Sequence, residues 1–248
     1  MLRPVINDKF EIKSSILNET REMYVYLPPG YDESGKVYPV IFLLDGHSLH
    51  NVCASFVQHY SGRERIPEAI VVSIASTDRF RDFTPSKREA YNGGYGGGGA
   101  SEFLRFLSDE LFPVVDERYP CRDYRVLIGH SYGGLFVSYA LMANPKLFDA
   151  YLACSPWLSE ADNSIIDKIG KQLIDGYSKR KHFYLAHEPI TSPGIENRIL
   201  NMKEVFENKS GDDFRWEYKR YSNADHSNLP LKAIPDALDF IFPGFIQD

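Results

Sequence analysis

The sequence predicts an α/β fold: a mostly parallel central sheet, helices on both faces, and antiparallel strands at its N-terminal edge. Three observations carry this. The apolar runs VYPVIFLLDG (37–46), AIVVSIA (69–75) and YRVLIG (124–129) read as strands buried on both faces. From residue 37 onward, strand-like runs alternate with segments of helical periodicity, as crossover connections require. Ahead of them, 10–17 (FEIKSSIL) and 22–28 (EMYVYLP) alternate apolar and polar residues like paired edge strands, and Pro28-Pro29-Gly30 ends the second.

The remaining elements follow in order. Residues 76–100, with RFRDFTP and GGYGGGG, read as one long irregular stretch, and loops of that length are functional or mobile. Residues 101–119 place Phe103, Leu104, Leu107, Leu111, Val114 and Val115 on one helical face, with Ser101 as a candidate cap. LFVSYALMANP is a helix stopped before Pro145. FDAYLACSP (148–156) is a strand, 160–175 a helix, HFYLAHE (182–188) a strand and 195–208 a helix. FRWEYKRY (214–221) alternates as a strand, and LKAIPDALDFIF (231–242) is a closing helix. No repeat or linker interrupts the 248 residues, so residues 1–248 are expected to form a single domain.

Composition narrows the function. With 43% hydrophobic residues, the chain can bury a sizeable core. A net charge of −6 and the lack of a basic patch argue against a nucleic-acid partner. Cys53, Cys121 and Cys154 are too widely spaced for a metal site and read as thiols of a reducing compartment. The first residues show no signal-peptide core, and no apolar stretch is long enough for a membrane span. The expected location is therefore cytoplasmic, without membrane association; a homo-oligomer is compatible with the sequence, which does not specify one.

The most informative segment is VLIGHSYGG (126–134), in which Gly129-His130-Ser131-Tyr132-Gly133 fits G-x-S-x-G. A strand that turns at once into a helix strains the turn residue and brings the two elements so close that flanking positions must lack side chains. The strain exposes the Ser131 hydroxyl and leaves the Tyr132 N–H beside it, at a positive helix N-terminus, as an oxyanion donor. A serine hydroxyl needs a base. In this class of fold the order is serine, acid, histidine, which leaves His182, His187 and His226 downstream. His182 opens a strand, at the wrong end of the sheet. His226, in YSNADHSNLP between the last strand and the last helix, is the candidate base.

The acid that orients the imidazole is expected at the end of the preceding strand, where Glu188 stands. Glu196 competes, a dyad without an acid stays open, and Asp225 adjoins the histidine too closely in sequence. A second oxyanion donor is expected after the early strand: Gly46 permits close backbone approach, and the His47 N–H is the candidate. Asp45 before them reads as turn chemistry. Trp157, at a strand end, walls the substrate pocket or packs in the core. GGYGGGG lacks the context of a phosphate loop.

These blocks together resemble the putative-esterase family of α/β-hydrolases, which includes esterase D, enterochelin-type siderophore esterases, feruloyl and acetylxylan esterases and the mycolyltransferases. The resemblance rests on RxMYVYLPPGYD (21–32), YPVIFLLDGH (38–47), RDFTP (81–85), the helix at 101–119, YRVLIGHSYGGLFVSYAL (124–141) and LFDAYLACSPWL (147–158). RFRDFTP before a Gly-rich loop resembles the siderophore-esterase-like members more than esterase D. It implies an α/β-hydrolase sheet, a Ser131 nucleophile, a His226 base and oxyanion donors at His47 and Tyr132. It also implies that Arg79, Arg81 and Asp82 brace the loop, although Arg81 can instead contact an anionic substrate. The expected activity is a serine esterase acting on a small-molecule ester through an acyl-enzyme, with no metal or organic cofactor. An acyltransferase, a silent binding protein and a peptidase are the rivals.

Overall fold

The computed structural model describes residues 6–33, 35–89, 93–159, 162–190 and 192–242. Its central sheet is built from β1 (Asp8–Ser14), β2 (Glu19–Tyr26), β3 (Tyr38–Leu43), β4 (Ile70–Ile74), β7 (Cys121–His130), β8 (Ala150–Cys154), β9 (Lys181–His187) and β10 (Phe214–Arg220). The order is β1-β2-β4-β3-β7-β8-β9-β10. β2 pairs antiparallel with both β1 and β4, and every pairing from β4 to β10 is parallel.

Strand periodicity splits the core in two. Val40 and Phe42 of β3, Leu127 of β7, Tyr151 of β8 and Phe183 of β9 face one layer. Their neighbours Ile41, Leu43, Val126, Leu152 and Tyr184 face the other. The second layer is closed by α1 (Gly46–Ser61) and α8 (Leu229–Ile241). The first is closed by α3 (Ala100–Arg105) and α4 (Phe112–Arg118), with α5 (Tyr132–Ala143), α6 (Asn163–Asp175) and α7 (Pro193–Lys209). Residues burying alternate faces explain why these strands read as unbroken apolar runs.

Three details depart from the sequence reading. Residues 46–61 form a further helix, α1. The helix from residue 100 is capped by Gly99 rather than Ser101, whose hydroxyl bonds to Glu102 at 2.7 Å. It also opens into a π turn (Phe106–Leu111) ahead of Pro113, which has no amide hydrogen to donate. The stretch 76–100 is more ordered than expected: α2 (Arg79–Phe83) is followed by a hairpin of β5 (Lys87–Glu89) and β6 (Tyr95–Gly97). Arg88 of this hairpin makes a two-pronged pair with buried Asp162, with both N–O distances 2.6 Å, which ties it to the segment after β8.

Parallel pairing brings the carboxyl ends of β3, β7, β8, β9 and β10 to one edge of the sheet, where open α/β sheets place their sites. Three neighbouring strands there are followed, within two residues, by a non-glycine residue with positive φ: Asp45 (55°), Ser131 (60°) and Ser155 (46°). Such backbone costs about 1–3 kcal/mol per residue and persists only where the surroundings enforce it.

Candidate active site

At the end of β7, Ser131 sits at φ 60° and ψ −117°. Its amide donates to Cys154 O at 2.9 Å and its carbonyl accepts from Trp157 N–H at 3.1 Å, so the kink is held from the neighbouring strand. The glycines act as steric logic demands, with one change of position. A Cβ on Gly129 would lie 2.3 Å from Gly133 O, so that position must be glycine. A Cβ on Gly133 would meet nothing closer than 3.5 Å. The tight position on the helix side is Gly134, whose Cβ would stand 2.8 Å from Cys154 O and 3.0 Å from Pro156 Cα.

His226 comes from the loop between β10 and α8. Its Nδ1 is 2.7 Å from Glu188 Oε1, and its ring centroid is 4.4 Å from that of His130, the residue before Ser131. Three segments far apart in sequence thus meet at one edge of the sheet. Glu188 follows β9 and is buried. Burial pushes its carboxyl up, but hydrogen bonds from His226, from its own amide and from Ser155 outweigh this and hold it below the usual glutamate value. Ser155 went unread in the sequence. Its buried hydroxyl donates to Glu188 Oε1 at 3.0 Å and lies 3.4 Å from His226 Nδ1. Its strand-end position, equivalent to that of Ser131 one strand over, was the available signal.

His130 is the other group that sequence reasoning passed over. Burial, and the neighbouring His226, push its imidazole down to about 4. The two other downstream histidines are accounted for structurally. His187 is buried between Glu188 O and the Tyr218 hydroxyl, each at 2.7 Å, and His182 lies at the amino end of β9. Glu196 pairs with Arg220 at 3.2 Å rather than with an imidazole.

The His47 and Tyr132 amides lie in the first turns of α1 and α5, where helix N–H groups lack intrahelical partners. Asp45 holds this corner together. Its carboxylate accepts from Ser76 Oγ at 2.8 Å and takes two bonds from Arg79 at 3.0 Å. The close approach that Gly46 permits is towards the sheet: a Cβ there would lie 2.8 Å from the Ser73 backbone, so that side faces β4, and Gly46 does not line the neighbouring cleft. Arg81 is likewise not a groove residue. Its guanidinium is taken up by Asp82 at 2.7 Å and Glu19 at 3.1 Å, a bracing role, whereas Arg79 reaches the site. Trp157 is half-buried, packing on the core with its ring 6.1 Å from Tyr132 and 6.5 Å from His226. Beside the site, a cleft of about 350 Å³ is lined by His47, Leu49, Val52, Arg79, His130 and Leu231. Among the described residues no His/Cys/Asp/Glu cluster suits a metal, and no helix is long and apolar enough to cross a membrane.

The chain is 32% identical over 251 residues to ferri-bacillibactin esterase BesA of Bacillus subtilis, covering 90% of this chain and 86% of that protein. An IroE-like serine hydrolase from Shewanella oneidensis superposes with a TM-score of 0.83 at 28% identity, covering 95% of this chain and 79% of the other. The BES protein from Bacillus cereus shares the fold, with a TM-score of 0.87 at 19% identity over 98% of both chains. The family described as "Putative esterase" matches residues 14–222; the chain belongs to that family, and it is a carboxylic-ester hydrolase of the α/β-hydrolase fold.

Proposed function

We propose that Ser131 attacks the ester carbonyl while His226 takes its proton and passes it to the leaving alcohol, and that water then deacylates the enzyme. Glu188 fixes the imidazole with its proton on Nδ1, so that Nε2 is the basic nitrogen. The amides of His47 and Tyr132 receive the oxyanion. The observation that carries this reading is the placement of His226, bonded to Glu188 and packed, with its ring tilted by 43°, against the residue preceding Ser131.

We further propose a siderophore ester as the substrate. The support is a relative named ferri-bacillibactin esterase that aligns along most of the chain, together with two shorter matches named siderophore esterases. An open cleft lined by His130, by the polar Arg79 and His47 and by the apolar Leu49, Val52 and Leu231 suits a bulky ester with polar arms. The three unpaired thiols support a cytoplasmic setting.

The test is an ester panel of graded acyl and alcohol size, siderophore esters included, run on the native protein and on Ser131→Ala and His226→Ala. Each substitution is expected to lower kcat by at least ~10³. Undiminished turnover by Ser131→Ala, or native protein inert to a fluorophosphonate, refutes the mechanism. A preference for small acetate esters over every siderophore ester refutes the substrate.

A further inference from the structure

The turn after β8, Ser155-Pro156-Trp157, touches each part of the constellation. Ser155 Oγ donates to Glu188 Oε1 at 3.0 Å and stands 3.4 Å from His226 Nδ1. Two residues on, the Trp157 amide holds the Ser131 carbonyl at 3.1 Å. The Ser155 amide donates to Ala186 O at 2.6 Å, anchoring the turn to β9, the strand that delivers Glu188. Pro156 packs where a side chain on Gly134 would be, so the turn also sets the start of α5.

Ser155 holds this place at a cost. Its φ of 46° is one that side-chain-bearing residues seldom adopt, and its hydroxyl is buried. The carboxylate it contacts has few other partners. Glu188 Oε2 is buried without a hydrogen bond among the described residues, so Oε1 carries the side-chain contacts to both His226 and Ser155. A hydroxyl that gives its one proton to Oε1 has only lone pairs left to turn toward the Nδ1–H of His226. It therefore meets both halves of the acid–base pair with the right polarity. The His130 ring, tilted against the imidazole, and Trp157, edge-on to it, offer ring contacts and do not replace that bond.

We propose that Ser155 is a positioning residue for ester hydrolysis: its hydroxyl fixes the Glu188 carboxylate against His226, while its turn holds the nucleophile's carbonyl on the neighbouring strand. This rests on the catalytic roles proposed for Ser131, His226 and Glu188. It adds a fourth polar side chain to them, one that acts through Glu188 and His226.

The test uses the full chain and two substitutions that separate hydroxyl from backbone. Ser155→Gly removes the hydroxyl and relaxes the positive φ, so it is expected to fold with a Tm close to native, relief of strain offsetting the lost hydrogen bond. Its kcat is expected to fall about ten- to a hundredfold with KM little changed, the size expected for one hydrogen bond to a charged group. The far-downfield proton resonance of His226 Nδ1–H is expected to move upfield or broaden. Ser155→Thr keeps the hydroxyl but strains the backbone, and is expected to melt lower while retaining more kcat than Ser155→Gly. A folded Ser155→Gly protein with native kcat and an unmoved Nδ1–H resonance overturns the proposal. If Ser131→Ala is inactive and Ser155→Gly is native, only this inference fails; if Ser131→Ala is active, the catalytic reading beneath it fails.

Discussion

The rings of His130 and His226 lie with centroids 4.4 Å apart, so the residue preceding the candidate nucleophile is packed against the candidate base. Two imidazoles this close cannot both carry charge cheaply. The structure resolves the conflict by burying His130, whose value falls to about 4 from an ordinary 6.5.

That depression fixes a sign. Above about 6.5, His130 is neutral in both folded and unfolded chains. As pH falls from there towards about 4, the unfolded chain takes up its proton before the folded one does, and stability drops. His130→Gln removes this contribution, so its Tm is expected to decline less than that of the native protein between pH 6.5 and pH 4. His182, also pushed down to about 4 by burial, continues to titrate in both proteins, so the slope is reduced and not abolished. Parallel Tm–pH curves for the two proteins contradict the assignment.

The elbow glycines make a second prediction, of contrasting neighbours. Gly129→Ala forces a methyl to within 2.3 Å of Gly133 O, and Gly134→Ala forces one to within 2.8 Å of Cys154 O. Neither contact is to a side chain that could swing away. Both variants are expected to lose about 2 kcal/mol or more, or to yield no soluble protein, on the scale of overpacked cores. Gly133→Ala meets only ordinary contacts at 3.5 Å and gains helix propensity within α5, so its stability should stay within about 1 kcal/mol of native. Urea titration of the three proteins makes the comparison.

Ser131 supplies a third. Its backbone at φ 60° and ψ −117° is strained for any residue with a Cβ. Ser131→Gly is expected to raise stability by about 1 kcal/mol while abolishing ester turnover, the trade between strain and activity. A destabilised Ser131→Gly protein would show that the kink is not a source of strain.

How far the sequence revealed this arrangement depended on how local the signal was. The strands were legible because residues such as Phe42 and Ile41 face opposite layers, so a central strand shows no polar position to confuse it. Ser131 was legible because the collision between Gly129 and Gly133 is confined to five consecutive residues. His226 followed from its place between the last strand and last helix. Ser155 was invisible because its role depends on Glu188 and His226, which come from two other strand ends and are brought to it only by the parallel register. Arg81 and Arg79 could not be told apart by spacing. One turns towards Asp82 and Glu19 and the other towards Asp45, a choice made by the fold of α2. The hairpin in 76–100 was hidden because glycines at Gly96 and Gly97 erase the side-chain alternation that marks a strand.

Glu188 gives the last prediction, because its carboxyl joins stability to chemistry. Its folded-state value lies below the ordinary 4.5: burial opposes ionisation, but the bonds from His226, the backbone and Ser155 favour it more. A depressed carboxyl adds stability that is complete above the unfolded value and is lost as pH falls through the folded one. Glu188→Gln cannot ionise, so the native protein's stability should lose ground to it as pH drops below about 4.5. In activity, Glu188→Ala should cost less than Ser131→Ala, by roughly one to two powers of ten in kcat, since acid and nucleophile contribute unequally in such triads. A Glu188→Ala enzyme as fast as native would make His226 and Ser131 a dyad, with the buried carboxylate serving the fold alone.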